Sequence, residues 1–203
     1  MKIGIDIDDT TFLTVKSMLK YADKYEEEIL GKPINRDSFG LIKDRYYLKV
    51  LYGWDEKTKY AFFNKYYKNV LEECTMLPNA DKTIQKFKEE GEEIYFITAR
   101  LMNISGCDTE GITKSSLEKF NIPYDKLFLH ISDKLKFFKE NDIDLCIEDS
   151  YDTCRNLTDN GIKSILMTTK MNENIDATGI TRVNNWNEIY NEVEKYKNTI
   201  KIK

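Results

Sequence analysis

The chain has a single histidine, His130, and four cysteines, Cys74, Cys107, Cys146 and Cys154, none of them in a CxxC pair. That scarcity excludes a histidine-rich metal centre, a His-dependent nucleophilic triad and a disulfide or zinc framework. Cys146 falls in an apolar strand pattern and reads as a small buried hydrophobe. Acid–base chemistry, if present, falls to carboxylates. No GxxxxGK[ST] sequence occurs, which excludes a P-loop kinase at motif level. No apolar run is long enough to span a bilayer. Met1–Ile7 is apolar but too short for a signal sequence and is interrupted by Asp6, so the cytoplasm is the expected compartment. Excess positive charge is also missing. The formal net charge is −4 and the pI is about 5.3. That argues against nucleic-acid polymers and membranes as partners, while leaving room for a small anionic substrate in a local positive pocket.

What is present suits a folded α/β protein. The 203 residues are 41% hydrophobic and 33% charged, with 13 Tyr and 10 Phe. Short apolar runs at Lys2–Ile7, Ile94–Thr98, Leu127–His130, Ile143–Ile147 and Ser164–Met167, with a short sixth at Thr181–Val183, predict buried parallel strands. Helical patterns separate them at Asn79–Glu90, Thr113–Phe120, Ser132–Glu140, Tyr151–Asn160 and Asn185–Lys197. The alternation predicts a doubly wound, three-layer parallel sheet. Residues 12–78 break it. They hold no convincing strand, and apolar residues recur there at helical spacing. They are expected to form a helical subdomain inserted into a core of residues 1–11 and 79–203.

In open α/β sheets ligands bind beyond the carboxyl ends of the strands. The first strand ends in Asp6-Ile7-Asp8-Asp9-Thr10, the second in Thr98-Ala99-Arg100 and the fourth in Glu148-Asp149-Ser150. Lys134 opens the helix that feeds the fourth. Each type has a job in phosphoryl transfer. Asp6 can attack phosphorus and form an acyl-phosphate. Asp8 can protonate the leaving oxygen and then activate water. So many carboxylates would repel a dianion, which calls for a hard cation such as Mg²⁺, with Asp149 the natural further ligand and Glu148 or Asp152 as helpers. Thr98, the adjoining Ala99 and Lys134 can hold phosphate oxygens. Taken singly, each has a bland reading as a turn, a cap or a solvated lysine; their shared edge is what points to chemistry.

This order resembles the haloacid dehalogenase superfamily. Its first motif, DxDx[TV], matches Asp6 to Thr10; its second matches Ile94 to Thr98; its third matches Lys134, with Lys136 as fallback; its fourth matches Cys146 to Asp149. The resemblance implies a Rossmann-like core, Mg²⁺, Asp6 as nucleophile, Asp8 as acid/base, a metal contact from the Asp8 main-chain carbonyl and a cap inserted after the first strand. Asp9 stands where Gly is commonest, and Asp152 sits one place nearer Asp149 than the usual second acid. Ile97 to Arg100, Ile122 to Leu127 and Ile147 to Ser150 further resemble the bacterial branch related to 5′(3′)-deoxyribonucleotidases. That branch implies a nucleoside monophosphate substrate; a monomer or homodimer is expected.

A cap would exclude water and select the leaving group. Arg45, Tyr46, Tyr47 and Trp54 are candidates to contact a base or sugar, against the reading that the aromatics are simply the bundle's core. Arg100 is a candidate for a phosphate or a cap carboxylate, or a plain surface cation. His130 is expected to be structural. The competing functions are a phosphatase for sugar phosphates, a phospho-receiver module, whose compact plan leaves no place for the insertion, and a non-catalytic binding protein.

Overall fold

The computed structural model describes residues 1–102 and 104–201. Six parallel strands form one sheet in the order β3-β2-β1-β4-β5-β6: β1 Lys2–Ile5, β2 Glu93–Ile97, β3 Lys126–Phe128, β4 Leu145–Glu148, β5 Lys163–Met167 and β6 Thr181–Val183. The helices are α1 Thr14–Glu28, α2 Tyr47–Tyr52, α3 Glu56–Glu72, α4 Ala80–Glu89, α5 Thr109–Lys119, α6 Lys134–Glu140, α7 Tyr151–Asp159 and α8 Trp186–Lys201. No described helix is long and apolar enough to cross a membrane.

The period of two along each strand splits its side chains between two layers. Ile94 and Phe96 face one layer, built with Ile84 and Phe87 of α4 and Ile189 and Val193 of α8. Tyr95 and Ile97 face the other, with Phe138 of α6 and Leu157 of α7. Gly4 permits that second contact, because a Cβ there would stand 2.4 Å from the Phe138 ring. The chain runs outward from β1 to β3, then returns to place β4 on the other side of β1. The crevice at this reversal lies beyond the ends of β1 and β4.

β1 stops at Ile5, two residues before the predicted end. The amides of Thr11 and Phe12 both donate back to the Ile7 carbonyl at 2.9 Å, curling the chain. Asp9 takes φ +56° in that curl. The Trp186 indole donates to the Thr10 carbonyl at 2.9 Å, which fastens the loop to α8. Helix α5 begins at Thr109, ahead of the predicted Thr113, because Asp108 caps it by accepting from the Gly111 amide at 2.9 Å.

Residues 12–78 contain α1, one turn of 3₁₀ helix at Phe39–Leu41, α2 and α3, and no strand. Two hydrogen bonds set the segment's entry beside its exit, from Leu13 N to Thr75 O at 2.8 Å and from Leu77 N to Thr11 O at 2.9 Å. The helices share an aromatic core of Tyr25, Trp54, Phe62 and Tyr66. Ile104, Cys107 and Ile112, from the stretch after β2, pack into the same cluster, while Phe12 belongs to the sheet's core.

Candidate active site

Asp6 follows β1 directly, with its amide still bonded to the Ile147 carbonyl of β4 at 2.9 Å. Its carboxylate Oδ1 accepts from Lys134 Nζ at 2.5 Å, and the same ammonium is also bonded to Glu148. Lys134, at the first turn of α6, is buried with both acids. Glu148 Oε1 accepts the amides of Asp149 and Ser150, so this carboxylate shapes the turn after β4. Burial and the neighbouring Glu148 push Asp6 up to about 8, against the pull of Lys134. Burial opposes the Lys134 ammonium, but Asp6 and Glu148 outweigh it and hold its pKa well above the usual value.

Asp8 lies across the same pocket. Its Oδ1 accepts from Thr14 Oγ1 at 2.6 Å and from Arg100 Nη2 at 2.8 Å, and Arg100 Nε bridges both oxygens at 3.0 and 3.1 Å. Thr98 Oγ1 stands 3.4 Å from Oδ2. Burial would raise this carboxyl, but the charge and hydrogen bonds of Arg100, helped by Thr14, hold it below the usual range. Asp9, in the position where Gly is commonest, also lines the cavity, and its carboxylate accepts the Val15 amide in the first turn of α1 at 3.0 Å.

Single carboxylate oxygens of Asp6, Glu148 and Asp149 lie within 4.8 Å of one another, a donor set that fits a hard divalent cation. Glu148 is already engaged by Lys134 and two amides, which leaves Asp6 and Asp149 as the better carboxylate ligands. Burial, Glu148, Asp9 and Asp6 all drive the Asp149 pKa well above its usual value, a crowding that bound positive charge would relieve.

The cavity holding these groups measures about 410 Å³. Asp6, Asp8, Thr98, Ala99, Lys134 and Asp149 line its floor, while Val15, Met18, Tyr47, Phe63, Tyr67 and Met171 give it an apolar and aromatic wall. The other residues singled out from sequence are placed variously. Tyr47 is half-buried in that wall. Arg45 is exposed at an adjoining cavity and pairs with Asp152 at 2.7 Å. Asp152 is therefore held outward, at the surface. Arg100 lines the cavity but is no surface cation, and its head is spent on Asp8 and Thr113. Trp54 lies in the helical segment's core, stacked on Tyr52 at 5.0 Å and donating its indole N–H to Glu26. It does not reach the pocket. Lys136 is exposed on α6 and pairs loosely with Glu140, so Lys134 is the lysine at the site. His130 is exposed in the loop after β3 with φ +61°.

Three contributors escape sequence reasoning. Thr14 reads only as a helix start. Tyr67 reads as one aromatic among many, yet its hydroxyl accepts the Leu101 amide at 3.3 Å. Asn172, buried beyond β5, donates to the carbonyls of Asp149 at 2.7 Å and Met167 at 2.8 Å, tying two strand ends together. A polar residue in an irregular loop carries no periodic signal that would reveal this.

Comparison with known proteins finds relatives over most of the chain. The family described as 5′ nucleotidase, deoxy (Pyrimidine), cytosolic type C protein matches residues 1–198. A nucleotidase of Clostridium acetobutylicum is 30% identical over 152 residues, covering 74% of this chain and 76% of its own. Among solved structures, one from Clostridium acetobutylicum described as a predicted phosphatase superposes with a TM-score of 0.69 at 15% identity, covering 96% of this chain and 98% of that one. The HAD-hydrolase YfnB of Bacillus subtilis, whose crystals hold magnesium, gives 0.63 at 14% identity over 95% of this chain and 98% of its own.

Proposed function

This chain belongs to the 5′ nucleotidase, deoxy (Pyrimidine), cytosolic type C family of the haloacid dehalogenase superfamily and is a phosphomonoester hydrolase, and from that premise we propose that it releases phosphate from nucleoside monophosphates through an aspartyl-phosphate on Asp6. The observation that carries the reading is the convergence of Asp6, Asp8, Asp149 and Lys134 in one cavity at the sheet's reversal point. The carboxylates of Asp6 and Asp149 and the main-chain carbonyl of Asp8 would hold the cation, Mg²⁺. When bound, it supplies the positive charge that lets a dianionic phosphate approach this acidic floor.

A carboxylate oxygen of Asp6, which the charge of a bound cation would keep ionised against its burial, attacks phosphorus as the bond to the leaving oxygen breaks. Asp8 gives that oxygen its proton, acting from the minor protonated form, since Arg100 favours its carboxylate. Asp8 then takes a proton from the water that attacks the acyl-phosphate, which frees inorganic phosphate and restores Asp6. Thr98, Ala99 and Lys134 hold the phosphate oxygens, where charge is spread in the transition state. Residues 12–78 act as a cap that keeps bulk water out. The aromatic wall of Tyr47, Phe63 and Tyr67 supports a nucleoside over a bare sugar, because a base offers a flat apolar face and a sugar does not.

A phosphate-release screen over nucleoside monophosphates and sugar phosphates, with Mg²⁺ present, tests the proposal. Turnover concentrated on nucleoside monophosphates is the expected result. Preference for sugar phosphates would move the chain to that substrate class with the same core chemistry.

A further inference from the structure

Arg100 carries a full positive charge at the floor of the pocket, yet its guanidinium is spent on protein groups, Asp8 and Thr113. The residue is 4% exposed. Its Nε reaches both oxygens of Asp8 at 3.0 and 3.1 Å, its Nη2 reaches Oδ1 at 2.8 Å, and its Nη1 donates to Thr113 Oγ1 at 2.8 Å. Thr113 is itself anchored, donating to the Thr109 carbonyl one turn earlier in α5 at 2.7 Å. Thr98 Oγ1 accepts the Arg100 amide at 3.2 Å, so the backbone that presents the guanidinium is braced as well. A planar fork held at both ends in this way has one orientation available to it.

We infer that Arg100 is a positioning residue, which clamps the Asp8 carboxylate from α5 and fixes the oxygen that exchanges protons with the leaving group and with water. The inference rests on the function proposed above for Asp8. Asp8 Oδ1 takes three hydrogen bonds, from Thr14 Oγ1, Arg100 Nε and Arg100 Nη2. Its lone pairs are crowded out of proton transfer. Oδ2 takes only the shared Nε and the long contact from Thr98 at 3.4 Å. Thr98 is also the hydroxyl placed to bind phosphate, and a substrate that engages it releases Oδ2. Oδ2 is therefore the working oxygen, and Arg100 decides where it points.

A positioning role and a phosphate contact differ in kinetics. Loss of a phosphate contact raises KM, whereas loss of alignment lowers kcat with KM little changed. Arg100→Lys keeps the charge but not the fork. It is expected to lower kcat on a nucleoside 5′-monophosphate by roughly tenfold to a hundredfold, part of the contribution a placed acid makes, with a smaller loss on p-nitrophenyl phosphate, whose leaving group needs no proton. Thr113→Val removes the far anchor and is expected to act in the same sense by about threefold to tenfold. Combined with Asp8→Asn, Arg100→Lys should add no more than about a twofold further loss, because both act on one unit.

A raised KM at unchanged kcat, or losses that multiply in the double variant, would overturn the inference. So would equal losses on the two substrates, or full activity in Arg100→Lys. If circular dichroism shows that Arg100→Lys fails to fold, Thr113→Val decides alone, and its wild-type kinetics would reject the clamp. Full activity of Asp8→Asn itself would instead reject the proposed mechanism, so the two failures are distinguishable.

Discussion

Arg45 Nη1 lies 2.7 Å from Asp152 Oδ2, and among the described residues this is the one ion pair that joins residues 12–78 to the rest of the protein. Both ends are more than half exposed, at 61% and 64%. An exposed pair of this kind is worth about 0–1 kcal/mol and is screened by salt. Its consequence is therefore for binding at the cavity mouth. Asp152→Asn removes a negative charge there and frees Arg45 for an approaching dianion. KM for a nucleoside monophosphate should fall severalfold at low ionic strength, roughly in line with a change of one nearby charge, and the gain should shrink at high salt. Steady-state kinetics at two salt concentrations measures it. An unchanged or higher KM would count against a substrate-facing Arg45.

Trp54 makes the opposite case, an aromatic whose work is structural. It packs on Phe62 at 4.9 Å and on Tyr25 at 5.3 Å, and its indole N–H satisfies the buried Glu26 carboxylate. Trp54→Phe keeps most of the packing and leaves that acid short of a donor, a loss of about 1–3 kcal/mol. Denaturant unfolding should show the drop while KM among different bases stays as in wild type. A shift in base preference without loss of stability would return Trp54 to the binding surface.

Asp6→Asn keeps size and shape, so its effect isolates chemistry. The amide oxygen is a poor nucleophile, and phosphate release should fall by roughly a thousandfold or more, as when other enzymes lose a nucleophile. Circular dichroism should show an intact fold, because Lys134 retains Glu148 as partner. Near wild-type turnover would reject the covalent route.

The sequence shows the sheet because strands buried on both faces are continuous apolar runs, and it shows Asp6, Thr98, Lys134 and Asp149 because topology sends every parallel strand's end to one edge. Its blind spots share one cause. The clamp on Asp8 joins residues 92 apart, and the Asn172 brace on Asp149 spans 23. Neither separation has a period. The first strand's early end is invisible for the same reason, since Ile7 keeps its apolar character while its carbonyl is taken by Thr11 and Phe12. Nor does composition separate Trp54 from Tyr47. Both are aromatic and lie near α2, and only the packing sends one into the bundle and the other to the cavity.

The N-terminus and the last helix meet in a charge cluster with a readable pH response. Lys197 Nζ lies 2.9 Å from Glu92 and 2.8 Å from Glu90, and the Met1 ammonium is 2.6 Å from Glu92. Burial would raise Glu92, but the N-terminal ammonium and Lys197 outweigh it and lower its pKa. Burial is likewise outweighed at Glu90 by Lys197 and Tyr190. A carboxylate with a depressed folded-state pKa contributes stability above the unfolded value of about 4.3 and loses it as pH falls through the folded value. Lys197→Met should therefore lower stability at pH 7 by about 1 kcal/mol or less, since part of the cluster is solvent-screened. It should also flatten the decline below about pH 4.5. Urea titrations across pH measure both, and an unchanged acid limb would reject the linkage.

The acidic floor should make metal binding visible in the protein's own stability. Asp149 is pressed by burial and by Glu148, Asp9 and Asp6, so without a cation its charge opposes folding. Asp149→Asn removes that repulsion while keeping the shape, and the brace from Asn172 is unaffected because it reaches the main-chain carbonyl. The metal-free variant should thus melt higher than metal-free wild type. Added Mg²⁺ should reverse the order. A cation that binds only the native state stabilises wild type by about 2.7 kcal/mol at a hundredfold excess over Kd, whereas the variant has lost a ligand and should gain little. Thermal melts with EDTA and with Mg²⁺, read beside phosphate release, separate the two effects. If both proteins respond to Mg²⁺ alike, Asp149 is no ligand. If EDTA leaves wild-type turnover intact, no divalent ion takes part in the reaction.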